Sequence, residues 1–242
     1  MNAKLWEASK KTKNKSNLFR YEKYIAKNYN YKISQKYNKL LKWSIDKPNI
    51  FWSSIWDFTK VKGVKKFKFK NTKNLINSQF LIGSKLNFAE NLLLKNDNTK
   101  AITFISENGY REIRTWNKLN INTSKIIEFF KKLGIKKKDR IAAYLPNIIQ
   151  TVESFLATAT IGAIWSSCSP DFGANGVVER FSQIKPKLLI IGDRYYYNGK
   201  EINVLDRLPV ILKKIKSIKY VILVNYPGKS NIKIKSFRGI KF

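Results

Sequence analysis

The stretch from Gly134 to Gly173, GIKKKDRIAAYLPNIIQTVESFLATATIGAIWSSCSPDFG, constrains the fold more than any other part of the chain. Gly134 follows the last apolar-periodic residue of a helix, where a glycine readily takes the left-handed conformation of a C-cap. Arg140 to Leu145 is an apolar run of strand length, closed by Pro146 and Asn147. Proline has a fixed φ and no N–H, which suits the end of a strand rather than its middle. From Ile148 to Ala163, the residues Ile148, Val152, Phe155, Leu156 and Ala159 recur at helical spacing, with small Ala and Thr between them. Gly162 loosens the helix end, and Ala163 to Cys168 reads as a second strand. Strand, helix and strand at these lengths predict a right-handed βαβ crossover and a parallel sheet. The second strand empties into a Ser-Pro-Asp-Phe-Gly loop at its carboxyl end, where open α/β sheets place their ligands.

The same alternation extends to both sides. Ala101 to Ile105 reads as a strand, Asn108-Gly109 as a hairpin turn and Tyr110 to Arg114 as the partner strand. Thr115 is placed to cap a long helix that carries Trp116, Leu119, Ile126, Ile127, Phe130 and Leu133 on one face. Downstream, helices are expected over Asn175 to Ile184 and Leu208 to Ile215, and strands over Lys187 to Ile191 and Tyr220 to Val224. The fold class is therefore α/β, with a doubly wound sheet. Ahead of it, the chain reads as helical. Ser16 or Asn17 caps a helix with Leu18, Tyr21, Tyr24 and Ile25 on one face. A second helix around Ile33 to Ile45 is expected to turn Tyr37, Leu40, Leu41 and Ile45 inward. The aromatic run from Ile50 to Phe58 could be taken for a base-stacking platform. Its spacing is instead that of one buried helix face. A short helix over 86–93 is expected to bury Leu86, Ala89, Leu92 and Leu93.

Composition narrows the function classes. The sequence has 48 Lys and Arg against 16 Asp and Glu, a formal net charge of +32. Clustered cations would point to nucleic acid or an anionic membrane. Here lysine dominates and is spread from end to end along the sequence, as in a chain encoded by AT-rich DNA, so no nucleic-acid partner is favoured. A positive field would still favour anionic small molecules. No apolar run is long enough to span a bilayer, the N-terminus MNAKLWEASKKTKNK lacks the apolar core of a secretory leader, and a cytoplasmic location with no membrane partner is expected. With no histidine and one cysteine, the sequence offers neither a Ser–His or Cys–His pair nor a zinc ligand set. Cys168 is expected to be a buried strand thiol. Asp193 and Asp206 are not spaced as a helical carboxylate pair, and surface or capping roles are expected for them.

DRIAAYLPN followed by FLATATIGAIWSSCSPDFG resembles the first shared region of the acyl-adenylate-forming ligases, and the variant WSSCSPDFG resembles the acetoacetate–CoA ligase family in particular. LNFAENLL at 86–93 and the opening Leu5-Trp6-Glu7-Ala8-Ser9 resemble the same family. The resemblance implies a helical N-terminal extension over residues 1–98, then the first part of an AMP-binding α/β domain over 99–242, incomplete at its C-terminal side. It implies an enzyme that joins acetoacetate to coenzyme A with ATP and Mg²⁺, through an enzyme-bound acyl-adenylate. A ligase for acetate or propionate, or a basic binding protein without catalysis, is the alternative. Adenylation needs a glycine- and hydroxyl-rich loop whose N–H groups cradle the phosphates, and groups that neutralise the developing charge. The resemblance places these in a further C-terminal portion, and no catalytic or metal-binding residue is assigned here. The Gly-containing turn Tyr226-Pro227-Gly228-Lys229 lacks the composition of such a loop. What the resemblance does place here is part of the coenzyme A nucleotide site: Ser169, Pro170 and Asp171, with Tyr197, Asn198, Gly199 and Lys200. Acetate-using relatives carry arginines at the positions of Tyr197 and Lys200, so this chain keeps a cation only at Lys200. A surface β-turn is the competing reading of that segment.

Overall fold

Burial on both faces of the central strands decides the architecture. In the computed structural model, which describes residues 5–71 and 75–228, the chain divides into two compact units, Met1–Leu86 and Asn87–Phe242. Met1 to Lys4 and Lys229 lie outside the described residues.

The first unit is built from α1 (Lys10–Lys15), α2 (Asn17–Tyr29), α3 (Tyr37–Asp46) and α4 (Pro48–Phe58), with the two-residue strands β1 (Gly63–Val64) and β2 (Lys85–Leu86) paired antiparallel. Ser16 caps α2 as expected, its hydroxyl accepting from the Phe19 N–H at 3.1 Å. Pro48 begins α4 at the first helical position, where its missing N–H costs nothing. Tyr21, Ile25 and Leu40 are buried against half-buried aromatics including Tyr24, Trp43, Phe51 and Phe58. The Tyr21 and Ser54 hydroxyls meet at 2.6 Å. The expected inward faces are only partly realised. Leu18, Tyr37, Leu41, Ile45 and Trp52 are exposed. A core of large rings in so small a unit shields few positions on each helix.

The second unit carries the α/β pattern. Its elements are α5 (Phe88–Leu92), β3 (Lys100–Ile105), β4 (Arg111–Thr115), α6 (Trp116–Lys132), β5 (Arg140–Tyr144), α7 (Ile149–Thr160), β6 (Ile164–Cys168) and α8 (Ala174–Ile184). They continue with β7 (Leu188–Gly192), β8 (Arg194–Tyr197), β9 (Lys200–Asn203), α9 (Leu208–Lys214) and β10 (Tyr220–Val224). The main sheet has the order β10-β7-β5-β6, and every pair in it is parallel. Ala142, Tyr144, Leu189, Ile191 and Val221 face one layer with Val177 and Phe181 of α8 and Leu208 and Ile211 of α9. Ile141, Ala143, Leu188 and Ile190 face the other with Phe130 of α6 and Ala157 of α7. Helices thus cover both faces, as a doubly wound sheet requires. Full burial of a side chain such as Phe130 or Phe181 stabilises by about 1.5–3 kcal/mol.

Local signals behave as their chemistry dictates. Thr115 caps α6 through its side chain, and Gly134 beyond it has φ +67°. The expected hairpin at Asn108-Gly109 joins β3 and β4. In α5, Ala89 is buried, but Leu86 sits in β2 rather than in the helix, and both Leu86 and Leu92 are exposed. Asn87 takes the cap position, and its amide donates to Ala159 O at 2.8 Å, tying α5 to α7. The β8–β9 hairpin is an addition to the expected elements. Its turn, Asn198-Gly199, has φ of +50° and +72°, both positive as in the tight turns that suit hairpin twist.

Candidate functional site

Because β5, β6, β7 and β10 are parallel, their carboxyl ends converge, and the loops leaving them share one end of the sheet. A cleft of about 240 Å³ opens there. It is lined by residues 104–107 of the β3–β4 hairpin, 146–148 after β5, 169–171 after β6, 195–197 of β8, and Tyr226 after β10. A neighbouring hollow of about 330 Å³ shares Phe104, Ile105, Asn147 and Ile148 with it. Gly192 lets β7 pass beneath the loop after β5, since a Cβ there would lie 3.2 Å from Pro146 Cδ.

Two arginine networks hold the walls. Arg207, just ahead of α9, donates from Nη1 to Pro170 O at 2.5 Å, to Phe172 O at 3.1 Å, and to the Tyr144 hydroxyl. The fully buried Tyr144 in turn donates towards the same two carbonyls, at 3.2 Å to Pro170 and 2.5 Å to Phe172. The Ser169–Phe172 loop is thereby pinned through its backbone to the end of β5. Within the loop Ser169 Oγ donates to Asp171 Oδ2 at 2.9 Å, and Arg180 lies over the Phe172 ring at 4.0 Å.

The second network centres on Asp193. Its carboxylate is fully buried and accepts from the Tyr226 backbone N–H at 2.8 Å and from Arg194 Nε at 3.0 Å. Arg194 also reaches Glu201 at 2.7 Å, and the Tyr196 hydroxyl bonds to the other Glu201 oxygen. A surface role for Asp193 is therefore wrong. It is an interior bracket joining β7, the β8–β9 hairpin and the segment after β10. Asp206 is exposed in the first turn of a short 3₁₀ segment, near Asn203 Nδ2.

The walls are rings. Tyr226 packs edge-on to Tyr196, with centroids 5.1 Å apart, and to Phe104 at 6.2 Å. Its hydroxyl meets Ser106 Oγ at 2.6 Å in a buried contact. Burial pushes the phenols of Tyr144 and Tyr226 above their ordinary value, so at neutral pH both are hydrogen-bonding alcohols and not bases. Burial likewise raises the Cys168 thiol, against the opposing charge of Arg180. A protonated, buried thiol is a packing group and not a nucleophile. The cleft's own side chains are equipped to bind and orient a ligand. Among the described residues, no three His, Cys, Asp or Glu side chains are grouped to hold a metal ion.

Of the residues singled out from the sequence, Ser169, Pro170, Asp171 and Tyr197 line the cleft. Asn198, Gly199 and Lys200 do not. They form the exposed hairpin turn beside it, linked to the cleft by Gly199 N–H donating to Glu107 Oε2 at 3.4 Å. Sequence reasoning missed Tyr144, Arg194 and Arg207 and gave Asp193 and Tyr226 no part in the site, although all five set its geometry. The Tyr195-Tyr196-Tyr197 run beside an Asn-Gly pair was the available signal for that wall.

Residues 93–236 match the model of the AMP-binding enzyme family. The chain is 40% identical over 195 residues to acetoacetyl-CoA synthetase of Xenopus tropicalis, covering 78% of this chain and 29% of that protein. To the same-named protein of Gallus gallus it is 36% identical over 227 residues, covering 92% and 34%. The solved structure of acetoacetyl-CoA synthetase from Streptomyces lividans superposes with a TM-score of 0.88 at 27% identity, covering 99% of this chain and 37% of that one. The chain spans about a third of the length of the relatives it matches.

Proposed function

Because the chain belongs to the AMP-binding enzyme family, we propose that it supplies the amino-terminal third of an acid–CoA ligase. The ligase converts acetoacetate, ATP and coenzyme A into acetoacetyl-CoA, AMP and diphosphate. The observation that carries this reading is identity of 36–40% to proteins named acetoacetyl-CoA synthetase, over most of this chain. Acetate or propionate in place of acetoacetate is the neighbouring assignment, and the substrate panel below separates them. In this reading residues 1–98 are the helical extension and 99–242 the first part of the adenylate-forming domain.

This chain's share of the chemistry is binding. ATP, with Mg²⁺, would activate the carboxylate by adenylation. The sequence has no glycine- and hydroxyl-rich phosphate cradle, and no residue between Met1 and Phe242 is assigned to the triphosphate, the metal or the acid. Ser169, Pro170, Asp171 and Tyr197, with the Asn198-Gly199-Lys200 turn, are assigned to the coenzyme A nucleotide. An exposed tyrosine ring and an exposed ammonium suit a base and its phosphate. Glu107 and Asp171 nearby oppose the anion, so affinity from this chain alone is weak.

Pyrophosphate release from ATP with Mg²⁺ tests the reading, with acetoacetate, acetate and propionate compared. The 242-residue chain alone should give none. Positioning of reactants supplies roughly 7–11 kcal/mol of barrier lowering, and the groups that provide it here are not in this sequence. Adding the complementary remaining portion of a related synthetase should restore acetoacetate-dependent release. Turnover by the chain alone, or restoration with acetate only, would refute the assignment. Isothermal titration tests the nucleotide site separately. Lys200→Ala should weaken coenzyme A binding, and an unchanged affinity would remove Lys200 from it.

A further inference from the structure

Along the sequence the lysines look evenly spread, but the parallel sheet sorts them. The loops that enter β5, β7 and β10 all lie at the amino end of the sheet, opposite the cleft. Residues 131–140 carry six Lys or Arg and one acid, residues 185–187 carry two lysines, and residues 213–219 carry four lysines and no acid. The fold joins these segments through their backbones. Lys187 N–H donates to Arg140 O at 2.9 Å, Lys219 N–H to Lys187 O at 2.9 Å, and Lys138 N–H to Gly162 O at 2.9 Å. Lys187 Nζ reaches Gly134 O at 2.6 Å and Asp139 at 2.9 Å, so the one acid is already neutralised within the cluster. Apart from Lys187, which is half-buried, these cations are exposed. The carboxyl end, by contrast, gathers Glu107, Asp171, Asp193 and Glu201 around the cleft.

Helix dipoles explain part of this pattern. Cations in a last turn stabilise a helix, and Lys131 and Lys132 of α6 and Lys213 and Lys214 of α9 are so placed. Lys136, Lys137, Lys138, Lys187, Lys216 and Lys219 lie beyond the helix ends, and the dipole gives them no reason to be there. Their charges are spread over several loops, which suits an extended polyanion rather than a small anion. Ammonium groups act as point charges on phosphates without reading bases. Among the described residues at these strand ends, the exposed large apolar side chain is Ile164, so there is little to insert into a bilayer.

We propose that the amino end of the sheet in the second unit is a sequence-independent binding surface for the phosphate backbone of RNA. The surface is separate from the ligase cleft. The test is fluorescence anisotropy of the full 242-residue chain with a labelled mixed-sequence RNA, from about 50 to 200 mM salt. In one variant Lys132, Lys136, Lys216 and Lys219 are each changed to Glu. A control variant changes Lys95, Lys100, Arg111 and Lys118 of the same unit to Glu; these are also exposed and alter net charge equally. The first variant should bind about ten-fold more weakly and flatten the log–log salt slope by roughly 2–3, at about 0.7 for each phosphate no longer neutralised. The control should change by less than about two-fold, as a diffuse field predicts for charges far from the bound phosphates. Circular dichroism checks folding, and a Lys→Gln set replaces the Glu set if helicity falls. Equal weakening by both sets, absence of RNA binding at the lower salt, or binding to phosphatidylserine vesicles in preference to RNA would each overturn the proposal.

Discussion

Replacing Asp193 by alanine removes the bracket that joins three parts of the cleft wall. The carboxylate is fully buried and its two oxygens accept from the Tyr226 N–H and from Arg194. Alanine leaves a buried backbone donor without a partner, at about 1–3 kcal/mol, and leaves Arg194 with Glu201 alone. Breaking one side of a buried ion pair costs about 3–5 kcal/mol, an amount that already includes part of the first loss. The expected destabilisation of the second unit is thus roughly 3–5 kcal/mol. Each 1.4 kcal/mol is a factor of ten in an equilibrium constant, so amide protection should fall by about two to three and a half orders of magnitude. Hydrogen–deuterium exchange is the assay because it resolves segments. Peptides covering β7, the β8–β9 hairpin and β10 should exchange faster, while those of α2 and α4 should not change. Asp193→Asn should lose less, because its amide oxygen still accepts from Tyr226. If β7 and β10 keep their protection in Asp193→Ala, the carboxylate is not what holds these strands, and the account of the wall fails.

Arg207→Ala should raise the exchange of residues 169–172 with a melting loss of a few degrees, since Tyr144 can satisfy only one of the two carbonyls that Arg207 also serves; unchanged exchange there would show the loop holds itself. Asp139 gives a pH dependence of definite sign. Burial alone would raise its pKa, but hydrogen bonds from Lys187 and the Lys136 N–H outweigh this and hold it below the ordinary value. Its stabilisation is complete above about pH 4 and is lost as pH falls through the lowered folded value. Asp139→Asn should therefore flatten the acid limb of a stability–pH curve, and an identical limb would refute the pairing. The groove lined by Phe129, Ile222 and Val224 is apolar, and Phe129 is exposed. Phe129→Lys should lower both dye binding and concentration-dependent association by light scattering, and no change would place any sticky surface elsewhere.

What could be read from the sequence was set by how strongly each residue's environment depends on its neighbours in the chain. The strands β5, β7 and β10 are continuous apolar runs because helices cover both faces. The caps at Ser16 and Thr115 are decided within three residues, so they too were legible. The faces of α3 and α4 were not. Tyr37, Leu41 and Ile45 follow a helical period yet stay exposed, because burial there depends on how far neighbouring rings reach. The β8–β9 hairpin was missed because its strands, Arg194–Tyr197 and Lys200–Asn203, carry no apolar alternation, although the Asn-Gly turn between them is a recognised hairpin signal.

The site was legible in its loops and not in its supports, and the reason is sequence distance. Ser169, Pro170 and Asp171 follow a recognisable strand, so their place at its carboxyl end followed from topology. The groups that fix them are remote: Arg207 lies 35 residues beyond Phe172 and 63 beyond Tyr144. Tyr226 is 33 residues from the carboxylate that accepts its N–H and 120 from its hydroxyl partner Ser106. No local pattern records such pairs. The same topology that hides them also assigns the cations. Each connection in a parallel sheet returns the chain from the carboxyl end to the amino end, so a charge placed just before a strand goes to one pole and a charge just after it to the other. Arginines Arg194 and Arg207, which follow β7 or precede α9, are consumed in hydrogen bonds that shape the cleft. Of the lysines that precede β5, β7 and β10, Lys187 pairs with Asp139 and Gly134 O, and the segments lie at the end of the sheet opposite the cleft. An even spread of lysine in sequence therefore becomes an uneven one in space.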